Sequence, residues 1–281
     1  MHTFSDIQKL RHQISTWRDE GKSIALVPTM GHLHEGHFSL IDIAKSHADK
    51  VIMSIFINPT QFNQSKDYEK YPRTLSSDLD SVKNLHIDAV FTPKEKDIYP
   101  NGPSNAPLIH IPELSEQFCG EFRPGHFDGV CTVVAKLFNI ISPDIAVFGE
   151  KDYQQLLIIR RLVEEFHFNI AIIAGQTIRD DRGLALSSRN SHLTSDEKKI
   201  ASTLINVLNN TKDEFSADSI EHLENQAIQQ LENASLKVEY FSIRDARNLK
   251  PITKSTENVV VLSAIWQRDI RLIDNLLFPL P

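Results

Sequence analysis

Ile24-Ala-Leu-Val27, then Pro28-Thr29-Met30-Gly31-His32-Leu33-His34-Glu35-Gly36-His37, then the helical pattern of Ser39 to Ala48, form one continuous run. An apolar stretch of strand length, a turn holding two glycines and a following helix make the first half of a strand–helix–strand unit. Outward from it, Val51 to Ile57, Ala89 to Thr92, Ile145 to Phe148 and Ile170 to Ile173 are further short apolar runs, most of them rich in β-branched residues. Such runs mark strands buried on both faces of a parallel sheet. Leu75 to Leu85 is helix-like, and Tyr153 to Phe166 carries apolar residues at helical spacing. Strands alternating with helices predict an α/β fold built on a Rossmann-like, doubly wound parallel sheet.

The texture changes around Gln176. Glu197 to Asn209 and Ser219 to Glu232 read as polar helices, and Val238 to Ile243, Asn258 to Ala264 and Ile270 to Leu277 follow as strands with no helix between them. These predict a smaller C-terminal α+β domain with an antiparallel sheet. The expected division is 1–176 and 177–281.

With 41% hydrophobic and 24% charged residues in 281, the composition is that of an ordinary globular protein. A formal charge of −7 argues against general affinity for nucleic acid, which requires clustered Lys and Arg, so an anionic ligand must be held locally. The two cysteines, Cys119 and Cys131, form no CxxC or evenly spaced framework and read as buried apolar residues. Met1-His2-Thr3-Phe4-Ser5-Asp6 lacks a basic region followed by an apolar core, and no run has the length of a membrane span. A cytoplasmic location without membrane partners is the expectation.

The segment from Pro28 to His37 lies where open α/β sheets bind ligands, at a strand's carboxyl end. Gly31 and Gly36 allow close backbone approach, and His34 and His37 would present two donors beside the positive end of a helix, which suits a triphosphate. Alone, such a pair is more commonly two surface histidines at an ordinary turn. A metal reading of His32, His34 and His37 has no carboxylate or thiolate pattern behind it. Leu186-Ser187-Ser188-Arg189-Asn190 offers two hydroxyls and a fixed cation for a mobile phosphate clamp, although alone it reads equally as a helix cap or loop.

Together the two motifs resemble the His-x-Gly-His and Lys-Met-Ser-Lys-Ser-like pair of the nucleotidyltransferase superfamily, with Arg189 in place of a lysine. Val27-Pro-Thr-Met-Gly31, His34-Glu-Gly-His37, Asn58-Pro-Thr-Gln-Phe62, Tyr71-Pro-Arg-Thr74, Phe148-Gly-Glu-Lys-Asp-Tyr-Gln-Gln155 and Ser187-Ser-Arg-Asn190 occur in the order seen in pantothenate synthetases. The resemblance to that family spans nearly the whole chain.

The resemblance implies an ATP-dependent ligase that turns pantoate into pantoyl adenylate and then joins it to β-alanine, with magnesium accompanying ATP. His34, His37, Lys151 and Arg189 would be catalytic, with His37 in an acid role. The nucleotide site would comprise Pro28, Thr29, Met30, Gly31, His34, Gly36, His37, Gly149, Lys151, Asp152, Ile178, Leu186, Ser187, Ser188 and Arg189. Gln61, Gln155, Asn58, Tyr71, Arg123 and His126 would serve pantoate and β-alanine, the last two from a loop closing over the site. Asp78 aligns with an aspartate associated with metal, although Ser76 and Ser77 stand where relatives can carry acids. Taken singly, Gln61 and Gln155 read as surface residues, Lys151 as a solvated lysine at a helix start, and Arg123 and His126 as loop packing. His32 stands where a small residue is common. Arg271-Leu-Ile-Asp-Asn275 keeps the family's ending without the glycine and threonine that often precede it, and neither departure touches the implied chemistry. A small C-terminal domain closing over the site and a homodimer are also implied.

Three rivals make different predictions. A nucleotidyltransferase would release an adenylylated phosphoester rather than AMP. A tRNA synthetase would need a basic RNA surface. A nucleotide sensor would bind without turnover.

Overall fold

The computed structural model describes residues 1–63 and 65–280, apart from the side chains of Ser65 and Lys66. Two compact units emerge, Met1–Glu150 with Gln154–Gln176, and Lys151–Tyr153 with Thr177–Pro281.

The first unit is a six-stranded parallel sheet in the order β1-β4-β3-β2-β5-β6. Its strands are β1 (His2–Phe4), β2 (Ile24–Thr29), β3 (Lys50–Ile55), β4 (Ala89–Phe91), β5 (Ile145–Gly149) and β6 (Ala171–Gly175). Ile24, Ala25, Leu26 and Val27 are fully buried, as expected of a central strand covered on both faces. The helix Glu35–His47 carries the chain from β2 to β3 and packs Leu40, Ile41 and Ala44 into the core. Gly175, at the end of β6, admits it closely, since a Cβ there would run into Leu40.

The strand order reverses at β2, with β3 on one side and β5 on the other. β2 pairs with β3 along its whole length, Ile24↔Lys50 to Thr29↔Ile55, but with β5 only at Ala25↔Ile145 and Leu26↔Ala146. The carboxyl ends of β2 and β5 therefore part, opening the crevice where doubly wound sheets hold ligands. Met30 follows one strand and Glu150 the other.

The second unit is an antiparallel sheet of β7 (Lys237–Asp245), β8 (Asn258–Gln267) and β9 (Ile270–Pro279). The helices Thr203–Asp213 and Ile220–Asn233 send Leu204, Leu208, Leu223 and Leu231 against Phe241, Val259, Val261 and Leu272. The short helix Ser195–Ala201 starts at a capping box, with the Thr194 hydroxyl accepting from the Glu197 amide and the Glu197 carboxylate from the Thr194 amide. Lys151–Tyr153 group with this unit because the Tyr153 hydroxyl donates to the Ala246 carbonyl and the Asn275 amide to the Lys151 carbonyl, both at 2.9 Å.

The structure departs from the sequence reading in several elements. β1 is an additional edge strand. Glu197 to Asn209 is two helices, Ser195–Ala201 and Thr203–Asp213, parted at Ser202. His126, read as part of a closing loop, instead opens the helix His126–Ile141 and is 8% exposed. No described helix is long and apolar enough to cross a membrane.

Asp245, at the end of β7, makes the second unit's stability depend on pH. Its side chain is 3% exposed and accepts from the Arg247 side chain and amide and from the Thr256 hydroxyl. The Arg247 side chain, opposed by burial and aided by the other donors, depresses its pKa from 3.8 to about 2. A depressed carboxylate contributes stability above its unfolded pKa and loses it as pH falls through the folded one, a linkage worth about 2 kcal/mol here. Urea unfolding should show Asp245→Asn destabilised by roughly that amount at pH 7. The gap from wild type should close between roughly pH 4 and pH 2.

Candidate active site

The turn after β2 is held by one buried carboxylate. Gly31 takes φ +80°, and a Cβ there would lie 2.9 Å from Asp78 Oδ2 and 3.2 Å from Ile55, so both conformation and space require glycine. Asp78 accepts from the His32 amide at 3.0 Å, the Leu33 amide at 2.9 Å and the Thr74 hydroxyl at 3.1 Å. It is 4% exposed and lies on the helix Leu75–Val82. The Thr29 hydroxyl donates to the Ser54 carbonyl and accepts from the Gly31 amide, fixing the turn's other side. Asp78, which the resemblance aligned with a metal-associated aspartate, anchors this loop through both of its oxygens. Among the described residues no group of three His, Cys, Asp or Glu could hold a metal ion.

That loop delivers His34 to the start of the helix Glu35–His47, where the two histidines cap it reciprocally. His34 Nδ1 accepts from the Gly36 amide at 3.2 Å, and His37 Nδ1 from the His34 amide at 3.3 Å. A backbone amide can only donate, so each neutral ring carries its proton on Nε2. The rings lie 4.1 Å apart between centroids. The amides of His37 and Phe38 already donate to the His34 carbonyl. With the amides of Gly36, His37 and Phe38 engaged within the turn, the two imidazoles add side-chain donors at this helix end.

Asn58, Gln61, Arg123 and His126 form a second cluster in the same unit. Asn58 is 1% exposed, and its Oδ1 accepts from the Tyr99 phenol at 2.6 Å and the Thr60 hydroxyl at 3.0 Å. Burial pushes the Tyr99 pKa up to about 12, so the phenol stays a donor. Asn58 Nδ2 donates to the Gly129 carbonyl at 3.1 Å and to Gln61 Oε1 at 3.0 Å. Since Gly129 can only accept there, the chain of donors fixes which way the Gln61 amide points, with Nε2 as its remaining donor. A Cβ on Gly129 would run into Thr60 and the Gln61 amide, so the helix His126–Ile141 presses directly on the Pro59–Gln61 turn. From that helix His126 Nδ1 donates to the Gln61 carbonyl at 2.7 Å, leaving Nε2 to accept from Arg123 at 3.1 Å. Asn58 and His126 therefore orient Gln61.

The remaining first-unit candidates separate by environment. Tyr71 is buried edge-on against Phe62, centroids 5.6 Å apart. Gln155 is partly exposed, whereas its neighbour Gln154, passed over in the sequence, is buried and bonds to Leu114, Gln117 and Cys119. Pro28 and Thr29 end β2, Met30 follows at its carboxyl end, Gly36 lies in the first helical turn and Gly149 ends β5.

In the second unit, Lys151 is 18% exposed at its side chain, 3.7 Å from the more exposed Asp152. The Leu186 amide donates to the Ile178 carbonyl across a short bridge, Arg179↔Ala185. Ser187 Oγ accepts from the Arg189 amide and caps the 3-10 turn Ser188–His192, while Asn190 holds the Ala185 carbonyl. Neighbours the sequence did not single out, Arg179 and Asp274, pair through a two-pronged ion pair. Only their distant positions in the chain hid them.

A family model described as pantoate-beta-alanine ligase matches residues 2–277. The pantoate–beta-alanine ligase of Schizosaccharomyces pombe is 46% identical over 269 residues, 95% of each chain. The pantothenate synthetase of Pseudomonas savastanoi pv. phaseolicola is 44% identical over 98% of each. Among solved structures, pantothenate synthetase from Thermus thermophilus superimposes with a TM-score of 0.86 at 34% identity, covering 98% of this chain and 99% of that one. The ligase from Francisella tularensis, complexed with beta-gamma ATP and beta-alanine, gives 0.80 at 38% identity, covering 99% and 97%. On this likeness across its length, and with the paired histidines at the end of β2, the chain belongs to the pantoate–beta-alanine ligase family, the pantothenate synthetases.

Proposed function

We propose that the protein uses ATP to condense pantoate with β-alanine, giving pantothenate, AMP and pyrophosphate through a pantoyl adenylate. The observation that carries this reading is the reciprocal histidine cap, which sets two Nε2 protons at the carboxyl end of the central strand. Family membership and the beta-gamma ATP and beta-alanine in the Francisella tularensis relative support it.

A pantoate carboxylate oxygen attacks the α-phosphorus as the bond to pyrophosphate breaks. The β-alanine amine then attacks the acyl carbon, AMP leaves with its oxygen, and the amine loses a proton. His34 and His37 donate to phosphate oxygens, with His37 the acid. Lys151 and Arg189 offset the charge that builds as pyrophosphate leaves, and Ser187 and Ser188 donate beside Arg189. Pro28, Thr29, Met30, Gly31, Gly36, Gly149, Asp152, Ile178 and Leu186 border the nucleotide. Gln61 presents its oriented Nε2 to pantoate, and Gln155 assists. Asn58, His126 and Arg123 act through Gln61, while Tyr71 shapes the pantoate side. Magnesium arrives on the triphosphate as part of the substrate. A cytoplasmic homodimer completes the proposal.

Pyrophosphate release should need ATP, magnesium and pantoate, turn over steadily only with β-alanine, and yield AMP. His37→Ala should lower kcat about 100-fold or more. Folded protein that releases no pyrophosphate at any substrate concentration would sink the assignment. An adenylylated phosphoester in place of AMP would make the protein a transferase.

Gly129→Ala should displace the Gln61 turn and raise KM for pantoate about tenfold, with KM for ATP little changed. Equal effects on both substrates would remove Gln61 from the pantoate site. Asp78→Ala should lower activity by loosening the Gly31–Leu33 turn, and raising magnesium should not restore it. Recovery at high magnesium would return Asp78 to the metal.

A further inference from the structure

β9 breaks its own pattern. Ile270, Leu272, Leu276 and Phe278 alternate onto the apolar core of the second unit, yet Asp274 occupies the same face, 4% exposed. An uncompensated buried carboxylate is strongly unfavourable, so this one must be paired. It takes both terminal nitrogens of Arg179, one to each oxygen. Arg179 also donates to the Gly183 carbonyl at 3.0 Å and bridges to Ala185, which fixes the base of the turn leading into Ser187-Ser188-Arg189. The next residue, Asn275, points from the opposite face of β9 and is 7% exposed. Its Nδ2 donates to the Lys151 carbonyl at 2.9 Å, and its amide donates to Asp274 Oδ1 at 2.8 Å.

We propose that Asp274 and Asn275 are positioning residues that set the two catalytic cations from adjacent points on one strand, Asn275 holding the backbone of Lys151 and Asp274, through Arg179, the turn that carries Arg189. This rests on the roles given above to Lys151 and Arg189. The strand supplies what a clamp on a leaving pyrophosphate needs, two charges referenced to one rigid element, because small errors in placement cost rate heavily. Neither Asp274 nor Asn275 touches substrate in this scheme.

A double-mutant cycle on single-turnover pyrophosphate release tests it. Asn275→Ala should slow the adenylation step about tenfold in an otherwise native protein, with little change in KM for pantoate. In a Lys151→Ala background the same change should cost less than about twofold, since the group it positions is gone. Asp274→Asn should behave likewise against Arg189→Ala. Glu224→Gln, which breaks the ion pair to Arg244 elsewhere in the unit, is the stability control and should leave the rate unchanged. Should Asn275→Ala cost the same factor with and without Lys151, its role is structural and the proposal is overturned. Wild-type rates in Lys151→Ala would overturn the assignment of Lys151 itself, a separate outcome read from that single variant.

Discussion

The Asp78 carboxylate, buried beneath the turn that follows β2, accepts two consecutive backbone amides and a hydroxyl. Hydrogen bonds to an ionised group contribute about 1.5–3 kcal/mol each, enough to hold a turn that contains a left-handed glycine and, at His32, a left-handed non-glycine residue. The placement of the paired histidines follows from that grip. It decides where His34 meets the helix, and the helix start decides which nitrogen of each imidazole faces outward. A carboxylate in this role spends three of its acceptor sites on the loop.

The same logic recurs at Gln61. A glutamine amide offers a donor and an acceptor, and alone it would present either. Here Asn58 consumes the acceptor, and Tyr99, Thr60 and Gly129 dictate which way Asn58 points. His126 fixes the Gln61 backbone from the other side. A flexible, ambiguous side chain is thereby turned into a single oriented donor, which lowers the conformational entropy lost on binding.

The parallel strands were legible because strands buried on both faces read as unbroken apolar runs, and Ile24 to Val27 is such a run. β1 was not, since a three-residue edge strand of mostly exposed residues carries no period. The helix His126–Ile141 escaped notice for the opposite reason, being buried on nearly all sides and rich in valine and isoleucine. Its polar residues, Asp128, Thr132, Lys136 and Asn139, form only a narrow stripe. At the site, residue types and position in the chain drew attention to His34, His37 and Arg189, while Lys151 came only with the family resemblance. They could not show that Asp78 faces amides, because its partners come from a turn more than forty residues away.

Arg271-Leu-Ile-Asp-Asn275 shows where sequence reasoning about chemistry stops. By type the segment is an amphipathic strand with two polar residues at its end, remote from every nucleotide-binding motif. Alternation already marks Asp274 as anomalous, since residues two apart share a face and those flanking it on that face are apolar. A buried charge must have a partner, but the sequence does not name it. The fold supplies Arg179, ninety-five residues away, and gives Asn275 the carbonyl of Lys151 at a separation of 124. Polar residues at core positions therefore identify a need for contact, and only the tertiary structure says whether meeting that need serves stability alone or places a reacting group.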